Sequence, residues 1–298
     1  MKNKSMSRLR LLRIFISILF TILIGLYLVL PAALGIAAII PVKQTVGTPP
    51  PPFKTVSITT EDNITLAGWY APPANSAVIL LLHGAGGSRE QLRFLAQLLV
   101  SHGYGVLAID ARGHGASGGK TNRLGWQGSR DVAAAVDFLH AQPNIQQIGA
   151  LGLSMGGEIL LGAAADNPEI VAIVADGATR RCTEELLALS SERPLVRNFT
   201  ARVMFITVQI LSGEKPPEPL LDSMIKAEGT RFLLIAGGAE TQEVEFNKLF
   251  ASAVSNRAEL WIAPETPHVG AHDLYPDEYE HRAIDFFDKT LLQEVETP

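Results

Sequence analysis

The chain has 298 residues, of which 47% are hydrophobic and 18% are charged, so it can bury a large core and disorder is not expected. The formal net charge is -5, and residues 1–13 carry five basic side chains and no acid. Removing those five positive charges leaves -10 on the rest of the chain, which excludes the basic surface typical of nucleic-acid-binding domains. The single cysteine excludes an internal disulfide and a cysteine-based metal site.

The amino terminus predicts a membrane anchor. Residues 14–40 contain no charged side chain, and this span exceeds the roughly 20 apolar residues that cross a bilayer core. Pro31 is expected to kink this helix or to end its regular part. The basic tail at residues 1–13 favours a cytoplasmic amino terminus and an extracytoplasmic body. The alternative is a cleaved signal peptide followed by secretion, although the apolar core of such peptides is usually only about 7–15 residues long.

A Pro-rich linker is predicted at residues 41–53. Its four consecutive prolines, at 49–52, favour a stiff, extended spacer that lifts the body off the membrane. Residues 54–298 follow as the body, which has the length of a single α/β domain.

The body alternates between predicted strands and predicted helices. It opens with a β-hairpin over residues 54–59 and 64–70. Apolar runs then predict buried strands at 77–82, 104–109, 145–151, 170–175, 231–236 and 258–263. Helical patterns lie between or after them, at 89–101, 124–141, 157–165, 242–254 and 276–292. This alternation predicts a mostly parallel central sheet covered by helices on both faces, with ligands bound at the carboxyl ends of the strands.

Ser154 lies in a G-x-S-x-G sequence between a predicted strand and a predicted helix. Strand, sharp turn and helix form the setting that a nucleophile elbow requires. Gly152 and Gly156 are expected to be small because a side chain there would collide with the neighbouring strand or helix. The backbone N–H of Met155, next to the serine, is then an expected donor to an oxyanion.

Five segments resemble the α/β-hydrolase fold, and each follows a predicted strand. In chain order they read LLLHGAGGS, IDARGHGASGG, LGLSMGG, FLLIAGGAE and APETPH. The DARGHGxS loop looks most like the serine aminopeptidase and dipeptidyl-peptidase-like branch, which also contains many esterases. The resemblance covers residues 54–292 and implies a serine hydrolase that needs no cofactor or metal. The membrane helix and the Pro-rich linker lie outside the family pattern.

The resemblance also implies roles for individual residues. Ser154 is the expected nucleophile, because the order in this fold is serine, then acid, then histidine along the chain. The base is expected at His268, in the loop after the last strand, and His272 is the alternative. The backbone N–H of Ala85, in the loop after the third strand, is the expected second donor to the oxyanion.

The acid is expected at Glu240. The family pattern has an Asp at this place after the penultimate strand, and a Glu can also orient an imidazolium. Asp176 is the alternative, because it ends another strand near the same edge of the sheet.

Residues 177–229 leave the repeating pattern and predict a cap insertion, with an apolar cap helix over 203–211. The expected function is hydrolysis of a small carboxylic ester through an acyl-enzyme. One alternative is a peptidase or amidase of the same fold. Another is a catalytically inactive, membrane-tethered binding module, which is favoured only by the missing Asp at position 240. The oligomeric state is left open.

Overall fold

A computed structural model describes residues 8–120, 124–189 and 195–292. The chain begins with α1 (Arg8–Ile24), continues through a π-helical turn (Gly25–Val29) and then forms α2 (Leu30–Ala38). The wide turn ends just before Pro31, whose ring removes an N–H donor from the helix, so the predicted interruption lies one turn ahead of the proline. These 31 residues are long and apolar enough to cross a membrane.

The remaining elements follow in regular alternation. The strands are β1 (Val42–Lys43), β2 (Lys54–Thr59), β3 (Thr65–Ala71), β4 (Ala77–Leu82), β5 (Gly105–Ile109), β6 (His114–Gly115), β7 (Gln147–Leu153), β8 (Ile170–Asp176), β9 (Arg231–Gly237) and β10 (Ala258–Ala263). The helices are α3 (Arg93–Ser101), α4 (Gly128–His140), α5 (Met155–Ala163), α6 (Thr183–Ala188), α7 (Leu195–Ser212), α8 (Leu220–Lys226), α9 (Thr241–Ala253), α10 (Ala271–Leu274) and α11 (Pro276–Phe287).

Eight of these strands form the central sheet, in the order β10-β9-β8-β7-β4-β5-β3-β2. β2 pairs antiparallel with β3, and β3 pairs antiparallel with β5, whereas the other neighbours are parallel. The predicted mostly parallel sheet, preceded by one long apolar helix, is therefore confirmed. Because the parallel strands point the same way, their carboxyl ends meet along one edge of the sheet.

The central strand β4 shows why its apolar run is continuous. Val78, Leu80 and Leu82 pack into the hydrophobic core on one face of the sheet, and Ile79 and Leu81 pack into the core on the other face. Neighbouring side chains of a strand point to opposite faces, so a strand covered on both sides needs apolar residues at every position. Helices cover both faces, as the alternation predicts.

The Pro-rich linker differs from its prediction as a spacer. Its strand β1 pairs in parallel with β6, which lies in the loop after β5. Farther along, Gln44 Nε2 donates a hydrogen bond to the Gly86 carbonyl at 2.8 Å, and Gly47 N–H donates to Glu90 Oε1 at 2.6 Å. The chain that leaves α2 is therefore bound along the loop edge of the body, and residues 42–47 do not form the free, extended spacer that was expected.

The cap insertion predicted at 177–229 contains α6, α7 and α8. Its longest helix, α7, includes the predicted apolar helix at 203–211 and packs directly against α2. At the crossing, a Cβ on Gly35 would lie 2.8 Å from both the Met204 carbonyl oxygen and Thr207 Cβ. Only glycine lets the two backbones approach this closely, so α2 and α7 form one packed helix pair.

Candidate active site

Ser154 lies at the sharp turn between β7 and α5. Its backbone has φ 51° and ψ -117°, a conformation that residues other than glycine rarely adopt. A Cβ on Gly152 would lie 2.3 Å from the Gly156 carbonyl carbon, and one on Gly156 would lie 2.3 Å from the Leu82 carbonyl oxygen. Both positions therefore require glycine, because a side chain at either would collide with neighbouring backbone. The turn places Ser154 at the carboxyl end of β7.

His268 connects the serine to a carboxylate. Its Nε2 lies 2.8 Å from Ser154 Oγ, and its Nδ1 lies 2.6 Å from Glu243 Oε2. With its proton on Nδ1, the imidazole donates to Glu243 and accepts the serine hydroxyl, as a general base must. The imidazole is 47% exposed and the Glu243 side chain only 2% exposed. The carboxylate is therefore shielded, while the histidine faces the space that a substrate would enter.

The structure gives His268 a different carboxylate from the one expected. Glu240 precedes α9 and is exposed, whereas Glu243 lies in the first turn of this helix. Glu243 Oε1 accepts a hydrogen bond from Gly237 N–H at 2.6 Å, which directs its other oxygen at the imidazole. The expectation for Glu240 as the partner of His268 is thus wrong. A Glu side chain is long enough to reach from the first turn of a helix back to the end of the preceding strand. The only sign of this role in the sequence is that Glu243 is the third residue of the helix that follows β9.

Asp176, the alternative acid, lies at the end of β8 and does not hold the imidazole, because Glu243 occupies Nδ1. Its backbone carbonyl accepts a hydrogen bond from the N–H of Ser154 at 2.7 Å, so the backbone of Asp176 helps to fix the turn at Ser154. The residue is 1% exposed, and its carboxylate faces the hydroxyl of Tyr279, which is also buried. Burial, followed by the negative charge of Glu243, raises the pKa of Asp176 to about 7.

His272, the alternative base, lies in α10, whereas the histidine in contact with Ser154 Oγ is His268. The Nε2 of His272 lies 3.2 Å from Asp273 Oδ1, and its ring stacks on Phe94 at 6.4 Å between centroids. This histidine therefore packs against Phe94 and Asp273. Within the part of the chain that the structure describes, no group of three or more His, Cys, Asp or Glu side chains is arranged to hold a metal ion.

The charge of Glu243 sets the protonation of the base. The pKa of His268 is raised above its ordinary value of 6.5, chiefly by the hydrogen bond to Glu243, although partial burial acts in the opposite direction. The negative charges of Glu243 and Asp176 raise it further. A carboxylate on Nδ1 strengthens the base at Nε2, and it stabilises the imidazolium that forms when the serine proton is taken up.

The turn that contains Ala85 lies beside the serine. A Cβ on the preceding Gly84 would lie 3.5 Å from Ser154 Cβ, and Gly87 N–H closes the turn by donating to the Gly84 carbonyl at 3.0 Å. Met155 is the first residue of α5, so its N–H has no carbonyl one turn earlier in the helix to pair with. These positions agree with the expected pair of backbone donors, which remains a prediction.

A buried polar network joins this turn to the loop after β5. Asp110 accepts the backbone N–H groups of Arg89 at 2.7 Å and Ala116 at 2.8 Å, and it forms an ion pair with the Arg89 guanidinium. His83 Nε2 accepts the N–H of Ala111 at 3.1 Å. Since these groups are buried and bonded to each other, they hold the turn around Ala85 in place before any substrate arrives.

The comparisons agree with this geometry. A family model described as serine aminopeptidase, S33, matches residues 73–219. An esterase of Pyrococcus furiosus has a similar structure, with a TM-score of 0.69 and 27% sequence identity, over 85% of this chain and 98% of that one. The chain has the α/β-hydrolase fold.

The curated relatives carry less information on activity. An uncharacterised protein of Mycobacterium tuberculosis is 30% identical over 123 residues, which are 40% of this chain and 43% of that protein. An uncharacterised protein of Escherichia coli, YfhR, is 23% identical over 279 residues, which are 90% of this chain and 92% of that protein. The match to the mycobacterial relative thus spans less than half of its length. The family match and the esterase structures together support a hydrolase.

Proposed function

We propose that the protein is a membrane-anchored serine hydrolase that cleaves carboxylic esters through an acyl-enzyme on Ser154. One observation carries this proposal: the imidazole of His268 lies between Ser154 Oγ, 2.8 Å away, and Glu243 Oε2, 2.6 Å away. A serine hydroxyl is a weak nucleophile unless a base lies within hydrogen-bond reach, and the base in turn needs a group that orients it.

The first half of the reaction transfers the acyl group to the enzyme. Ser154 Oγ attacks the ester carbonyl carbon while its proton moves to His268 Nε2. The carbonyl oxygen becomes an oxyanion, which the backbone N–H groups of Met155 and Ala85 would stabilise. The intermediate then collapses, the bond to the alcohol oxygen breaks, and the imidazolium returns its proton to the departing alcohol.

The second half releases the acid. Water replaces the alcohol and gives a proton to His268 Nε2 as it attacks the acyl carbon. The bond between that carbon and Ser154 Oγ breaks, and the imidazolium returns the proton to the serine. Glu243 stays ionised throughout, since its task is to hold the Nδ1 proton and to balance the positive charge of the imidazolium.

An ester is favoured over an amide by the likeness to the Pyrococcus esterase, whose sequence is 27% identical across almost its whole length. A peptidase or amidase is the second candidate, because the matching family model is described as a serine aminopeptidase. The inactive binding module was favoured only by the missing Asp at position 240. The contact of Glu243 with His268 speaks against it, because a carboxylate lies beside the histidine.

The proposed location is a single-pass membrane protein with a cytoplasmic amino terminus and an extracytoplasmic hydrolase body. It is supported by the 31-residue apolar helix and by the five basic side chains in residues 1–13 that precede or begin it. Secretion after cleavage is the alternative. A protease added to intact cells, and then to lysed cells, tests the orientation: the body should be digested in both cases.

A fluorophosphonate probe tests the proposal, because it labels only an activated serine. The full chain in detergent should be labelled, Ser154→Ala should not, and Glu243→Gln should be labelled far more slowly. Glu240→Gln is the matched control and should react like the wild type. Labelling that survives in Ser154→Ala, or a folded wild type that is never labelled, would contradict the proposal. Paired ester and amide substrates with the same acyl group then distinguish the two reactions.

A further inference from the structure

The cap helix α7 has an apolar face that the protein leaves uncovered. Phe199, Ile206, Ile210 and Leu211 are all exposed, and Ile210 is exposed to 73%. The helix also contains no acidic residue along its 18 positions. An apolar patch of this kind on one helix is characteristic of a contact with a membrane or with another protein.

The position of this face beside the anchor indicates which partner covers it. α7 packs on α2 through the close contact of Gly35 with Thr207, so the uncovered face of α7 continues the apolar surface of the anchor. On α2 itself, Leu34 and Ile36 are exposed beside this contact. A surface that is continuous with a membrane-spanning helix meets the same lipid.

The length of the anchor gives the depth of the contact. The 31-residue helix is about 46 Å long, whereas the hydrocarbon core of a bilayer is about 30 Å thick and the whole bilayer about 40–45 Å. The last turns of the helix, which form α2, therefore lie in the interfacial layer. A helix packed on them lies at the same depth, where amphipathic helices bury their apolar side chains.

The active site is held close to the same layer. Gln44 follows Ile40, just after α2, by four positions in the chain, so this connection spans at most about 14 Å. Gln44 is hydrogen-bonded to the Gly86 carbonyl. Gly86 belongs to the turn whose Gly84 lies beside Ser154. The linker therefore fixes the loop edge of the sheet, with the nucleophile on it, next to the membrane end of the body.

We propose that α7 and α2 form one lipid-immersed surface, and that the site at Ser154 takes long-chain acyl esters directly from the bilayer that holds the anchor. This inference rests on the proposed serine-hydrolase function and names the substrate class of the same site. In such a lipid the ester carbonyl lies at the interface while the acyl chain stays in hydrocarbon. The lipid contact of α7 and α2 keeps the loop edge of the sheet, and Ser154 on it, at that interface.

A fluorescent label tests the surface independently of catalysis. The full chain is reconstituted in phosphatidylcholine vesicles, and an environment-sensitive maleimide dye is attached at Ile210→Cys or, as the matched control, at Ile225→Cys. Ile225 is also an exposed apolar residue, 49% exposed, but it lies on α8. The native Cys182 is buried and stays unlabelled under native conditions. The dye at 210 should report a lipid environment and be quenched by lipid-borne spin labels, whereas the dye at 225 should report water.

Hydrolysis tests the substrate class. Each protein in vesicles receives a long-chain p-nitrophenyl ester held in the bilayer and, separately, water-soluble p-nitrophenyl acetate. In Ile210→Glu the ratio of the first rate to the second should fall about tenfold or more, because an apolar anchor is lost and a charge is added. Ile225→Glu should keep the wild-type ratio.

The outcomes separate the two proposals. A dye at 210 that reports water overturns the lipid-immersed surface, and an unchanged ratio in Ile210→Glu overturns the route from the bilayer. A wild type that hydrolyses the soluble ester but not the vesicle-held one overturns the substrate class alone. A wild type that hydrolyses neither contradicts the proposed function together with its substrate class, while the dye still decides whether α7 contacts lipid.

Discussion

Glu243 and His268, which are 25 residues apart in the chain, are joined by a 2.6 Å contact between Oε2 and Nδ1. One partner comes from the first turn of α9 and the other from the loop after β10. Because β9 and β10 are parallel neighbours, the segments that follow them emerge at the same edge of the sheet. With the contact of His268 Nε2 to Ser154 Oγ, the contact between Glu243 and His268 joins the three side chains in one hydrogen-bonded row.

Replacing Glu243 by Gln should reduce kcat/KM by about 10³- to 10⁴-fold on a soluble ester. The Gln amide keeps nearly the same shape, but it no longer holds the histidine in the right tautomer or balances the imidazolium charge. Steady-state kinetics measure this loss, and circular dichroism checks that the variant is folded. Glu240→Gln is the matched control on the exposed neighbour, and a loss in that variant instead would return the role to Glu240.

The pH profile should have an acid limb whose midpoint lies above 6.5. The pKa of His268 is raised by Glu243, so the imidazole stays protonated to a higher pH than an ordinary histidine and cannot accept the serine proton there. Activity is then present above this pKa and is lost as the pH falls through it. The dependence of kcat/KM on pH reports this value for the free enzyme. A midpoint at or below 6.5 would contradict the raised pKa.

Asp176→Asn should stabilise the protein relative to the wild type more at pH 8 than at pH 4.5. The folded-state pKa of Asp176 is about 7 against an ordinary value of 3.8, chiefly because the carboxyl is buried. Between these values the unfolded state has lost the proton that the folded state keeps, so the wild type loses stability as the pH rises. The Asn side chain does not titrate and avoids this loss.

Thermal unfolding at both pH values measures the effect of Asp176→Asn as the difference in Tm between variant and wild type. Asp166→Asn, at an exposed position, is the control for removing one carboxylate from the chain. If the difference for Asp176→Asn is the same at both pH values, the raised pKa of Asp176 is wrong.

Gly35→Ala should weaken the packing of α2 on α7. Its Cβ would lie 2.8 Å from the Met204 carbonyl oxygen, so the helices must move apart, and overpacking of this kind costs about 1–3 kcal/mol. Gly25→Ala, in the π-helical turn that precedes α2, meets nothing within 4 Å and should gain about 0.5–1 kcal/mol from helix propensity. Thermal unfolding of the full chain in detergent measures both, and a Gly35→Ala variant as stable as Gly25→Ala would contradict the packed helix pair.

Much of the fold was predictable because its signals are local. The unbroken apolar run of β4 requires burial on both faces of a sheet, and the glycines around Ser154 require a turn in which backbones nearly touch. His268 follows the last strand at a spacing that resembles the hydrolase pattern. In each case a short stretch of residues carries its own physical constraint, so no long-range contact had to be known.

Glu243 was missed because residue spacing does not show how far a side chain reaches. The strand end offers Glu240 at the expected place, but that residue precedes α9 and faces solvent, while Glu243 accepts the N–H of Gly237 and contacts the imidazole. The linker was misjudged for a similar reason. Its prolines favour an extended chain in isolation, yet residues 42–47 form hydrogen bonds with segments far along the sequence.

The amino-acid sequence by itself thus determined the alternation of strands and helices, the elbow at Ser154, the position of the histidine and the apolar amino-terminal helix. Periodicity, glycine spacing and hydrophobic length are properties of a segment, and these features depend on nothing else. Tertiary structure alone decided that Glu243 meets His268, that the linker lies along the site, and that α7 packs on α2 at Gly35. Those contacts join residues distant in the chain, and they form only when packing of the sheet and its helices brings the segments together.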